Sequence, residues 1–254
     1  MASILALSSF TSLEKRSAYK VKTVVIDAGH GGKDPGTHGK VAKEKDIALK
    51  VALELGKTIK KNMPDVKVYY TRTTNKFIEL HDRADLANRN HADLFISIHC
   101  NANPNSKDIY GTETYTMGLH TSEGNLDVAK RENAVILQED DHEEHYEGFD
   151  PDSPMAHILM ANYQSAYLEN SLRFAKNVET QFKDRAGRKS RGVKQAGFIV
   201  LWQSAMPSAL IEIGFLTNPK EEKYLNDPLG QSYIASAVFR AFRQYKEDME
   251  AMND

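Results

Sequence analysis

Three short apolar runs, separated by helix-length amphipathic stretches, constrain this chain more than any other feature. The first, Thr23–Ala28, is a β-branched run stopped by Gly29, Gly31 and Gly32. The others are Val66–Tyr70 and Leu94–His99. A short run that is apolar on both faces fits a parallel strand covered by helices on each side. Between the first two runs, Glu44–Asn62 carries Ile47, Val51, Leu55 and Ile59, one every four residues, and Pro64 lies just beyond its end. That is the stripe of an amphipathic helix with a stop signal. Leu80–Asn90 reads as a second helix. The resulting β-α-β-α-β alternation predicts an α/β layered domain.

The pattern returns near the C-terminus. Gly197–Leu201 and Ala209–Phe215 read as strands. Asn218, Pro219 and Glu221 then supply a cap, a first-position proline and an acidic first turn for a helix. A last helix places Ile234, Val238, Phe242 and Tyr245 on one stripe. The intervening segment, about residues 119–170, has a different character. Between Glu123 and Asp152 it holds eleven acidic residues against two basic ones, Lys130 and Arg131, which predicts a largely solvated surface there. Leu126–Leu137 reads as helical, Glu139–Asp152 as an acidic loop and Met155–Phe182 as one long helix.

Composition narrows the class. Of 254 residues, 41% are hydrophobic and 27% charged, so a packed core is expected, and a net charge of -2 gives no overall nucleic-acid footprint. The single cysteine, Cys100, excludes an intramolecular disulfide and a thiolate metal cluster, and reads as a small buried hydrophobe. No apolar run approaches the roughly 18 residues of a transmembrane helix. Residues 1–20 read as a leader outside the fold, and residues 21–254 as one domain.

The chemistry gathers at strand ends. His30 follows the first run and His99 closes the third. In open α/β sheets, ligands collect beyond the carboxyl ends of strands, so the two imidazoles are placed to meet. A catalytic zinc takes three protein ligands and leaves one position open. Glu44 and Glu212 both remain candidates for the third. Glu44 opens a helix, where a carboxylate also suits the dipole. Glu212 is a charge inside the apolar strand Ala209–Phe215. A buried carboxylate is costly unless paired, protonated or metal-bound, and a raised pKa suits a general base that must return its proton. Asp27, three residues before His30, is expected to accept the second ring N–H of that histidine. His38, His81, His91, His120 and His157 are expected in loops or on helix surfaces, away from the metal. His142 and His145, in the acidic loop, are candidates for a weak second site.

These segments resemble a known family. Asp27-Ala28-Gly29-His30-Gly31-Gly32, the following Glu44, Ser97-Ile98-His99-Cys100-Asn101-Ala102 and Ile211-Glu212-Ile213-Gly214-Phe215 are similar to motifs of zinc-dependent N-acetylmuramoyl-L-alanine amidases, amidase-3 type. Tyr70-Thr71-Arg72 and Arg83–Asn88 match intervening segments, so the resemblance covers roughly residues 22–248. It implies a single α/β domain with a mixed, mostly parallel sheet flanked by helices. It also implies Zn2+ held by His30, Glu44 and His99, with Glu212 as the catalytic carboxylate. The implied substrate is the lactyl–L-alanine amide of peptidoglycan, cleaved in wall remodelling or daughter-cell separation in the periplasm or cell envelope. A zinc peptidase of related architecture and a non-catalytic wall-binding domain are the rival readings. Intact His30, Glu44, His99 and Glu212 count against the second. Septal members of the family carry an inserted helix that covers the zinc cleft until an activator protein removes it. The resemblance therefore makes residues 119–170 a regulatory insert, with Glu132 the inhibitory carboxylate and Glu139 the second choice.

Overall fold

Strands β1 (Thr23–Ala28), β2 (Lys67–Tyr70) and β3 (Leu94–Asn101) form where the apolar runs predict them, with helices α1 (Glu44–Asn62) and α2 (Leu80–Arg89) between them. The computed structural model describes residues 19–120, 122–161 and 166–252, so most of the expected leader lies outside the described residues. Strand β4 (Thr112–Met117) follows, then α3 (Glu123–Asn133), continued by a 3-10 turn over Ala134–Gln138. The chain goes on through α4 (His142–His145), α5 (Pro154–Ala161), α6 (Leu168–Asp184), β5 (Ser190–Ala196) and α7 (Ile199–Trp202). It closes with β6 (Ser208–Phe215), α8 (Pro219–Asn226) and α9 (Pro228–Ala251).

The six strands make one mixed sheet in the order β2-β1-β3-β6-β4-β5. Neighbours pair in parallel except β4 and β6, which are antiparallel. Because side chains alternate across a strand, each run serves two cores. Val24, Ile26, Ile96, Ile98, Ile211 and Ile213 face α1, α6 and α9, where Ile47, Val51, Leu55, Phe174, Val178, Ile234, Val238 and Phe242 are buried. Val25, Phe95, Leu210 and Tyr115 face the opposite layer, built from α2, α3, α5 and α7. Each fully buried Ile, Leu or Phe contributes about 1.5–3 kcal/mol relative to exposure, so the stripe of α1 carries much of its stability. Leu55→Ala alone would cost about 2–5 kcal/mol.

Two expectations need correction, and one strand was not expected. The strand near the C-terminus is Ser190–Ala196, whereas Ile199–Trp202 is a short helix. The apolar run Phe198–Leu201 is buried either way, and burial alone does not separate a strand from a helical turn. The expected helix Met155–Phe182 is two, α5 and α6. Strand β4 had no forecast: its Thr-Glu-Thr-Tyr-Thr-Met sequence is fully buried, and Glu179 accepts hydrogen bonds from the Thr112 and Thr114 hydroxyls.

Candidate metal centre

His99 and Glu212 stand side by side on β3 and β6, and Glu113 of β4 is the next residue across the sheet. All three point to the α3 side, because Ile98 and Ile211 beside them face the other core. His30 lies just past β1 with left-handed backbone, φ 60°. Glu44 reaches the same point from the first residue of α1 and is fully buried. Its Oε1 accepts from the Cys100 backbone N–H at 2.7 Å and its Oε2 from that of Thr37 at 2.8 Å. Glu132 enters from the last turn of α3.

Four donor atoms converge. Glu44 Oε1 is 3.0 Å from His30 Nε2 and 3.1 Å from His99 Nδ1. Glu132 Oε2 is 3.2 Å from His30 Nε2 and 3.0 Å from His99 Nδ1. Tetrahedral ligands bound at ~2.0–2.1 Å stand about 3.3 Å apart, so these edges fit a zinc-sized cation. Among the described residues, His30 Nε2, His99 Nδ1 and Glu132 Oε2 are buried without a hydrogen-bond partner, which is costly unless a cation joins them. The residues therefore fit the group. His30, Glu44, His99 and Glu132 form one potential cation-holding cluster, so the structure brings together the three expected ligands and the expected inhibitory carboxylate.

Glu212 lies beside this set, not within it. It is fully buried, and neither carboxylate oxygen has a hydrogen-bond partner among the described residues. Burial, reinforced by the nearby Glu132 and Glu44 charges, raises its pKa well above the ordinary carboxylate range. Glu113 behaves oppositely. Burial opposes its charge, but Lys194 and Arg191 at 2.6 and 2.7 Å hold its pKa down. Two carboxylates in one polar row thus have separated proton affinities.

The glycines around the ligands admit no side chain. A Cβ on Gly29 would lie 2.5 Å from the His99 ring, and one on Gly36 would lie 2.6 Å from both Glu44 Oε2 and the His30 ring. The His30 loop is held by two buried arginines. Arg72 donates to the Ala28 and Gly29 carbonyls, and Arg83 to those of Ala28 and His30.

The second ring nitrogen of His30 is not held by Asp27. Asp34 Oδ2 lies 2.7 Å from His30 Nδ1. Asp27 instead accepts from Arg83, Ser97 and Thr71 at 2.6 to 2.8 Å, so it supports His30 only through Arg83. Asp34 escaped sequence reasoning because its contact depends on the left-handed turn at His30. Its spacing of four from His30 is the one available signal.

Glu139, the second inhibitory choice, is elsewhere. It accepts from the Leu80 backbone N–H at 2.8 Å and from the Tyr146 hydroxyl, at the start of α2. His157 is also corrected: it is buried in α5, with Nε2 2.9 Å from the Pro151 carbonyl. Cys100 is a buried core residue as expected.

Helix α3 divides the surface above the strand ends. On one side a cleft of about 180 Å³ is lined by His30, Asp34, Thr37, Arg131 and Glu132. On the other a cleft of about 580 Å³ is lined by Asn101, Asn103, Arg131, Arg191 and Lys194, among others. Arg131, missed by sequence reasoning, lines both and donates to Asn101 Oδ1 at 2.9 Å.

Residues 24–244 match the family model described as N-acetylmuramoyl-L-alanine amidase. The chain is 30% identical to the N-acetylmuramoyl-L-alanine amidase AmiA of Escherichia coli K12 over 234 residues, covering 91% of this chain and 78% of that protein. A crystal structure of an N-acetylmuramoyl-L-alanine amidase from Clostridium difficile 630 superposes with a TM-score of 0.68 at 28% identity, covering 90% of this chain and 98% of the other. The CwlD amidase from Clostridioides difficile, solved in complex with the GerS lipoprotein, gives a TM-score of 0.65 at 25% identity, over 89% of this chain and 99% of that one.

Proposed function

Because the chain belongs to the N-acetylmuramoyl-L-alanine amidase family, we propose that it hydrolyses the lactyl–L-alanine amide of peptidoglycan with Zn2+ held by His30, Glu44 and His99. The observation that carries this reading is the convergence of four buried donor atoms at the strand ends, each imidazole nitrogen 3.0 to 3.2 Å from both carboxylates. Membership of an amidase family decides against an ordinary peptidase and a non-catalytic wall-binding domain. A bound zinc supplies a Lewis acid for the scissile carbonyl and acidifies the attacking water.

The protein's own groups do the rest. Asp34 fixes the His30 tautomer, leaving Nε2 free for the cation. The peptide N–H of Cys100 fixes the Glu44 carboxylate. Glu212, buried beside His99, would take the proton of the attacking water as its carboxylate and pass it to the departing amine nitrogen. Arg191 and Lys194, beside the larger cleft, suit the carboxylates of a stem peptide.

We also read residues 119–170 as a regulatory insert, with Glu132 closing the site. A carboxylate held against the cation would keep out both water and the substrate carbonyl. Withdrawing α3 would join the two clefts it now divides into one groove. Displacement by an activator protein fits this arrangement, and the CwlD–GerS complex shows that a similar amidase assembles with another protein. The substrate places the enzyme's work in the periplasm or cell envelope, in wall remodelling or daughter-cell separation. Digestion of purified peptidoglycan tests the bond assigned. Free stem peptide should appear without new reducing sugar; reducing sugar, or cleavage within the peptide alone, refutes the assignment.

A further inference from the structure

A second group of metal-ligating side chains lies away from the strand ends, where the acidic segment docks on the start of α2. Glu79, His81 and His145 each offer one ligand atom, all within 4.8 Å of one another. The His81 and His145 rings are 4.1 Å apart between centroids and tilted by 40°. Two further carboxylates face the same imidazole: Asp82 Oδ1 lies 3.6 Å from His81 Nε2, and Glu139 Oε2 lies 3.9 Å from His81 Nδ1. A helix N-terminus by itself repels a cation, but three carboxylates around two imidazoles outweigh that partial charge.

The backbone fixes these groups. The Tyr146 hydroxyl accepts from the His81 backbone N–H at 3.0 Å and donates to Glu139, which in turn accepts from Leu80. The single turn bearing His145 is bracketed by left-handed Asp141 and Glu147. Non-glycine residues hold that conformation only where their surroundings determine it.

We infer that Glu79, His81 and His145 form a second, weaker divalent-metal site that staples the insert to the catalytic core. Two imidazoles and one carboxylate suit zinc over magnesium or calcium. Glu79 and His81 belong to the core and His145 to the insert, so the ion binds only while the insert is docked. By mass action, free zinc then favours the closed arrangement. The regulatory consequence rests on the reading of the insert as a plug; the site itself does not.

The test is zinc uptake by the full chain at equilibrium. The parent should bind two ions, one tightly and one readily exchanged. His145→Ala, at an exposed position, should bind only the tight one. His142→Ala, on the same turn but outside the cluster, should still bind two. Zinc added beyond the tight equivalent should further slow proteolysis between residues 139 and 152 in the parent and not in His145→Ala. Equal uptake by His145→Ala and the parent, or equal loss in His142→Ala, would overturn the site. Two ions with no zinc-dependent protection would overturn the staple. Failure of Glu132 as a plug would leave the stoichiometry unchanged and would appear only in the activity of Glu132→Ala.

Discussion

Glu132 Oε2 stands 3.0 Å from His99 Nδ1, a contact between helix α3 and strand β3. The two residues nevertheless differ in what their loss should do. His99→Ala removes one of three core ligands and should abolish tight zinc binding and activity together. Glu132→Ala leaves His30, Glu44 and His99 in place and should retain the tight ion. Metal analysis of both variants checks this, and full tight-site occupancy in His99→Ala would refute the ligand set.

Glu212→Gln separates binding from chemistry. The amide is nearly isosteric but cannot accept the proton, so zinc should stay while turnover falls by ~10²–10⁴-fold. A rate within a few-fold of the parent would remove Glu212 from the proton path. Loss of the metal would make it a ligand.

Gly29→Ala tests the close packing behind the centre. The added methyl would overlap the His99 ring, which closes the site from the β3 side. The variant should bind zinc at least about tenfold more weakly, the equivalent of ~1.4 kcal/mol. Unchanged affinity would mean that the ring moves freely.

Asp27 and Arg83 predict an acid-dependent stability. Burial opposes the Asp27 charge, but Arg83, with help from Ser97 and Thr71, holds its pKa below the usual value. A lowered folded-state pKa stabilises fully above the unfolded value of about 3.9, and that contribution fades as pH falls through the folded value. Asp27→Asn should cost about 3–5 kcal/mol near neutrality, because it leaves a buried guanidinium unpaired. It should also flatten the acid limb of the denaturation midpoint against pH. An unaltered acid limb would show that other carboxylates govern it.

The centre was legible where the chemistry conflicts with its surroundings. His30 and His99 stand at the ends of apolar runs, and Glu212 is a charge within one. The α1 and α9 stripes were equally plain, because a four-residue spacing survives any context. Strand β4 was hidden because its buried Thr112 and Thr114 are satisfied by Glu179, more than sixty residues away. Strand β5 was hidden because it is an edge strand, half-buried along most of its length, with a left-handed Gly192 inside it. Asp34 and the His81–His145 pair depend on turns whose handedness no periodicity records.

The most direct test is peptidoglycan hydrolysis by the parent and Glu132→Ala, with zinc measured on the same preparations. If the closed arrangement leaves the open one at ~0.1–10% of molecules, removing the fourth carboxylate should raise the rate at least about tenfold with the tight zinc retained. A fully active parent, unchanged by Glu132→Ala, would contradict the account.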